Sequence, residues 1–285
     1  SGFANLSFQY KTADATSRSV QRADATALDA AGVPDIAPIT QVWGAPEVDD
    51  DISIFGNVGL ELTNDSQFYM FGNYSERDVR GGFYYRNPHT RPGAYSNDGG
   101  ETLLVGDLTG DMSGNCPTIM IDDNVLDNPD YINGVANNPD CFAFNEMLPG
   151  GFTPNFGGNI TDTSLTIGTK GEFTGGFLEG AYYDLSGTVG YNESRYFIYD
   201  TINASLGPDS PRDFSPGKYE QLEKNFNFDI SKGFDFDLAY DVNIAGGLEW
   251  HEETFTVVAG DEASFIAGPL TDQGFGIGSN GFPGF

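Results

Sequence analysis

The sequence predicts an all-β protein: an antiparallel up-and-down meander of about seven strands that forms part of the wall of a large transmembrane β-barrel. Three observations predict it. First, the stretch FDFDLAYDVNIAGGLEW (Phe234–Trp250) is apolar, aromatic or glycine at every even position, while Asp235, Asp237, Asp241, Asn243 and Glu249 fall on odd ones. Side chains of a strand alternate between two faces, so this pattern gives one greasy and one wet side, and the run exceeds the usual strand of about 5–6 residues. Second, the connections between such runs alternate between long and short, the asymmetry of barrels with long extracellular loops and short periplasmic turns. Third, Gly 38, Phe 23 and Tyr 14 fit turn-rich, aromatic-girdled β-structure. For the first stretch alone, a long strand of a soluble sandwich or solenoid is the alternative; regularly alternating loop lengths favour the barrel.

Residues 3–12 open the meander, with Leu6, Phe8 and Tyr10 facing one way and Asn5, Ser7, Gln9 and Lys11 the other. A polar connection, 13–49, contains the alanine-rich Ser17–Ala31, a short surface helix ending before Gly32. Strand 50–62 alternates Ile52, Ile54, Val58 and Leu60 with Asp51, Ser53, Asn57 and Glu61, and Phe55 breaks the pattern. Thr63-Asn64-Asp65-Ser66 is a turn by composition. Strand 67–80 returns, with Tyr69 and Phe71 reading as an aromatic girdle at its near end. The connection 81–162 is rich in Gly, Asn, Asp and Pro; its length counts against a compact soluble domain and suits an outward barrel loop. Strands follow at 163–173, 181–199, 218–230 and 234–257, with turns at Gly175-Gly176 and Ser231-Lys232-Gly233 and a proline-bearing loop at 200–217. Residues 258–285 are glycine-rich and irregular.

The chain carries 42 acidic and 13 basic residues, a formal charge of −29. That argues against nucleic acid as a partner, since phosphate binding needs a basic footprint. No apolar run reaches the roughly 18 residues of a transmembrane helix, and SGFANLSFQY lacks the basic start and apolar core of a signal peptide. Cys116 and Cys141 share one polar region, which favours a disulfide in an oxidising compartment over two free thiols.

Several stretches resemble the TonB-dependent receptors of Gram-negative outer membranes: FGNYSERDVRGGFYYRNPHTRPG (Phe71–Gly93), NPDCFAFNEMLPGGFTPNFGGN (Asn138–Asn159), NASLGPDSPRDFSPGKYEQ (Asn203–Gln221), GLEWHEETF (Gly247–Phe255) and the closing GIGSNGFPGF. The resemblance implies a barrel of about 22 strands around a plug. It also implies energised uptake of a scarce ligand, of ferric siderophore, cobalamin or carbohydrate class, into cells bounded by an outer membrane. The implied partners are outer-membrane lipid and lipopolysaccharide, a small-molecule or oligosaccharide ligand, and the TonB–ExbB–ExbD complex through an N-terminal region not found here. Neither plug nor TonB box is visible in these residues, and seven strands are fewer than the smallest barrel of about 8. The expectation is therefore an internal section of the wall. A cell-surface structural or adhesive β-protein, assembling through its open edges, is the alternative.

No catalytic constellation is present: no nucleophile elbow, phosphate loop or haem motif, so no enzyme is expected. His89 and His251 lie far apart, and His251-Glu252-Glu253 lacks the second histidine of a zincin helix. Tyr84, Tyr85, Arg86, His89 and Arg91 bring cations and aromatics into an otherwise cation-poor loop. They are the candidate ligand-binding residues for an anionic group; arginine stacking on tyrosine to brace the loop is the alternative. No metal site is expected. Asp122, Asp123, Asp127 and Asp130, with Asp107 and Asp111, are weak Ca²⁺ candidates without the EF-hand spacing, the alternative being a solvated acidic loop.

Overall fold

A computed structural model describes all of residues 1–285. Its elements in chain order are β1 (Gly2–Ala13), helix α1 (Ala23–Ala30), β2 (Glu47–Glu61), β3 (Ser66–Gly82), β4 (Gly106–Asp107), β5 (Cys141–Phe142), β6 (Asn155–Glu172), β7 (Tyr182–Tyr199), β8 (Phe214–Phe234) and β9 (Val242–Ala259), with short helical turns between them. Seven strands form one antiparallel sheet in the order β1-β2-β3-β6-β7-β8-β9; β4 and β5 pair separately. The meander expected from the sequence is present, and each strand pairs with its nearest neighbour among the seven.

The register sorts the side chains. One row crosses all seven strands through Ala4, Val58, Met70, Ile167, Gly187, Phe226 and Trp250. The row on the opposite face, one residue away, runs Asn5, Asn57, Phe71, Thr166, Thr188, Asn225 and His251. Nothing packs on the first face: Leu6 is 78% exposed and Leu248 74%. The apolar face ends toward the long connections in charge, where Arg80 meets Glu47 and Asp49, and Lys218 meets Glu193 and Glu220.

The polar face is cross-linked by side chains. Asn73 donates to Asp162 (3.0 Å), Asn192 donates to the other Asp162 oxygen (3.3 Å), Thr166 and Thr188 bond at 2.9 Å, and Asn225 donates to Glu249 (2.6 Å). Such cross-strand pairs are the unit of sheet stabilisation.

Two assignments need correction. Phe234–Trp250 is not one strand. β8 runs through Ser231–Gly233 to Phe234, a turn occupies 235–241, and β9 begins at Val242. Asp237 takes φ +61° and its N–H bonds the Asp235 carboxylate at 2.8 Å. An aspartate closing a local turn competes with the ladder even where the alternation looks strand-like. Tyr69 and Phe71, read as girdle residues, lie on the polar face, stacked with ring centroids 6.3 Å apart. The strand ends also extend: β6 begins at Asn155, eight residues before Thr163, because Gly157, Gly158 and Asn159 pair with Arg80, Val79 and Asp78 without any apolar alternation to announce it.

The buried core is not in the sheet. It sits at the end bearing the long connections, where 83–154, 200–213 and 260–285 fold together. One cluster joins Ala94, Tyr95, Phe142, Phe144, Phe152, Ile202, Ala204, Leu270 and Phe275, and so draws on all three segments. A second holds Leu103, Ile119, Val125, Tyr131, Val135, Cys141 and Ala143. The alanine-rich segment forms α1 as expected, buries Ala25 and Leu28, and stops at Gly32 with φ +86°, a conformation glycine adopts without penalty. At the opposite end the connections are 62–65, 173–181 and 235–241.

Candidate functional site

The loop body lies above the polar face, and its C-terminal segment reaches down onto the sheet. Phe282 packs on Phe156 (4.7 Å between centroids) and Tyr196 (5.1 Å), and Phe285 stacks on Tyr219 at 4.7 Å with the planes 8° apart. Aromatic pairs at these separations contribute about 0.5–1.5 kcal/mol beyond their buried area. The polar face thus turns aromatic where the loop body meets it, a contact that the closing GFPGF signals only by its aromatics.

The five candidate ligand residues occupy four places. Tyr84 is exposed and meets Trp43 edge-on at 4.9 Å. Tyr85 is buried; its hydroxyl donates to the Gly150 carbonyl (2.6 Å) and its N–H to Gln41 Oε1 (2.9 Å). Burial, with Asp24 adding to it, pushes the Tyr85 phenol well above its ordinary range. These contacts make Tyr85 a brace between three loop segments.

Arg86 and Arg91 come together at the C-terminal segment. Arg86 pairs by its backbone with Phe152 in both directions (2.7 and 3.2 Å), and its guanidinium lies 5.6 Å from the Phe83 ring centroid. The residue is only 4% exposed, its Nε has no hydrogen-bond partner, and it forms no salt bridge. Burial, with Arg91 nearby, lowers its pKa to about 10. Arg91 donates from Nη2 to Asn280 Oδ1 (3.1 Å), its Nε is also unpartnered, and burial lowers its pKa too. Arg86 Nη2 abuts Gly281, the residue after Asn280. Two half- or fully buried guanidiniums without a carboxylate are costly, because an unpaired charge keeps its desolvation penalty. In chemical terms the pair is an anion-seeking group.

His89 points elsewhere. It lines a cleft of about 550 Å³ with Asp24, Asn87, Asp122 and Asp123 beside α1. Its Nε2 is buried without a partner, and desolvation lowers its pKa against the opposing pull of Asp122 and Asp123.

Asp107, Asp111 and Asp127 are held in local turns, while Asp130 opens a short helical turn, its N–H donating to Asn128 Oδ1 at 2.9 Å. Asp107 accepts from the Thr109 N–H and hydroxyl and from the Gly114 N–H. Asp111 accepts from the Ser113 N–H, and Asp127 from Asn124 Nδ2 at 2.9 Å. No three carboxylate, imidazole or thiol side chains converge on a point where a metal ion could sit. Asp98, which sequence reasoning passed over, accepts from Ser96, Glu101 and Thr102; the Thr102 hydroxyl is its strongest partner, and these bonds hold its carboxyl far below the usual range. Cys116 and Cys141 form the expected disulfide, Cα–Cα 5.6 Å, at the edge of the second core cluster.

No family model, no curated protein and no solved structure matches this chain.

Proposed function

We propose that this chain is a section of the wall of an outer-membrane transport barrel of the TonB-dependent receptor kind, and that the whole barrel takes up a scarce ligand in an energised way. One observation carries the reading: a seven-strand sheet with an apolar row across every strand, no core above it, and a hydrogen-bonded polar face behind it. In water such a face is a liability, since exposed apolar patches larger than a few hundred Å² mark an interaction surface. In a bilayer it meets hydrocarbon, while the polar face lines a lumen. The loop body then stands outside the cell, with Arg86 and Arg91 as its anion-seeking groups, and the tight turns face the periplasm.

Strand direction limits how a self-assembling surface protein could be built from this sheet. The open edges β1 and β9 favour that alternative, since unpaired edges template association. However, seven antiparallel strands make β1 and β9 run the same way. A head-to-tail ring of copies would join them in parallel, whereas antiparallel closure takes an odd number of additional strands.

Nitroxide labels in membranes test the wall. Labels at Leu165, Leu185 and Phe228 should collide with dissolved oxygen, and labels at Ser164, Ser186 and Asn227 with a water-soluble nickel chelate. Equal access on the two faces would sink the reading. Transport is tested by disrupting the gene and growing cells under iron, cobalamin or carbohydrate limitation; undiminished growth in every condition counts against uptake.

A further inference from the structure

The apolar face has a dent near the tight turns. A Cβ built on Gly246 meets nothing within 4 Å. Ile230 and Phe234 of β8, Ile244 of β9, and Phe177 and Leu178 of the β6–β7 turn border it, forming an apolar groove of about 510 Å³. Lys232 stands in the same lining, in register with Ile244. Its Nζ lies 5.6 Å from the Phe234 ring centroid and donates to the Glu179 carbonyl at 2.5 Å. The other cations of this face, Arg80, Arg195, Lys218 and Lys224, each hold a carboxylate and lie toward the loop body. Lys232 holds none, although the chain carries a charge of −29.

We propose that the groove seats one acyl chain of an anionic phospholipid, whose phosphate pairs with the Lys232 ammonium. This rests on the membrane-wall reading. Phe173, Tyr183, Phe177 and Phe234 surround the turn end of the face, and aromatic belts mark the level of lipid headgroups. A lysine there reaches the interface while its stem stays on apolar surface. A peptide lying along the groove floor finds no backbone partner between β8 and β9, whose facing groups pair from Gly217↔Ala259 to Phe234↔Val242. What the groove offers is apolar contact plus one positive charge, the complement of an acyl chain with an anionic head.

Fluorescence quenching tests the proposal on the full chain in nanodiscs. Trp43→Phe leaves Trp250 as a reporter of the apolar face. Adding Trp250→Phe and Leu248→Trp places the reporter two residues above the dent on the same face. A minor fraction of acyl-brominated phosphatidylglycerol in phosphatidylcholine should quench the Leu248→Trp reporter severalfold more than the same fraction of brominated phosphatidylcholine. Lys232→Gln should abolish that preference, and Gly246→Leu, which fills the dent without a clash, should reduce it. Equal quenching by the two lipids overturns the lipid site. So does a reporter shielded from both lipids while Trp250 is quenched, because protein then covers the groove. If Trp250 is not quenched even in wholly brominated phosphatidylcholine, the membrane-wall reading itself fails.

Discussion

The Tyr69 hydroxyl donates a 2.6 Å hydrogen bond to Asp184 Oδ1, joining β3 to β7 over the top of β6. The strand between them makes this possible by carrying no side chain there. Gly168 is the register partner of Tyr69, and a Cβ on it would stand 2.3 Å from the Tyr69 ring. A glycine beneath an aromatic ring on a neighbouring strand is a recognised way to recover packing at a position of weak β propensity.

Gly168→Val should therefore displace Tyr69 and break its bond to Asp184. We expect a loss of about 1–3 kcal/mol, the usual cost of overpacking. Tyr69→Phe, which keeps the ring and removes the donor, should lose about 1.5–3 kcal/mol, the range for hydrogen bonds to charged groups. Urea unfolding midpoints check both. A double variant no worse than the worse single one is expected, because both changes act on one contact.

Replacing Cys116 and Cys141 together with serine should loosen the loop body and spare the seven-strand sheet. The two are 25 residues apart in sequence, and closing such a loop stabilises by about 3 kcal/mol in the chain-entropy model. Limited proteolysis should cut first between Leu103 and Ala143, the span of the second core cluster, while the strand content seen by circular dichroism stays unchanged. Loss of strand signal in step with the cutting would show that the loop body supports the sheet.

The sheet was legible in the sequence because period two survives in every strand that has one apolar face, as in Tyr183, Leu185 and Val189 of β7. It was least legible where the pattern and the backbone part company. Phe234, Phe236, Leu238 and Tyr240 keep the alternation through a turn that Asp235 and Asp237 impose. Asn155–Asp162 forms a strand with almost no alternation, because its partners β3 and β7 hold it in register. The loop body was hidden for a third reason. Its apolar residues, such as Tyr95, Phe144, Ile202 and Phe275, lie far apart in sequence and meet only in three dimensions. For the same reason the cluster Tyr84–Arg91 read as one site, although the chain turns within it and sends Arg86 and His89 to different neighbours.

Acidification should weaken the loop body through His89. Its folded-state pKa lies below the ordinary 6.5, so in the window just below pH 6.5 the unfolded chain binds more protons than the folded one. Stability then falls as pH drops through that window. His89→Gln should flatten this part of the stability profile, measured by thermal unfolding of the loop body at pH 7.5 and pH 5.5. An unchanged slope in the variant would assign the effect to other groups. Burial produces the effect, and Asp122 and Asp123, which favour the charged imidazole, limit it: Asp123→Asn should steepen the loss by removing a compensating charge.

Arg86 gives the opposite outcome from most buried residues. Truncating a buried side chain normally costs stability through the cavity it leaves, but here the side chain also carries a charge that no carboxylate offsets. Arg86→Met keeps much of the volume over Phe83 and removes that charge. We expect it to be at least as stable as the native chain, and more stable by about 1 kcal/mol or more if the site is dry. Arg86→Ala, which adds a cavity, should fall below Arg86→Met. A native protein clearly more stable than Arg86→Met in anion-free buffer would mean that the guanidinium already has a compensating partner inside the fold.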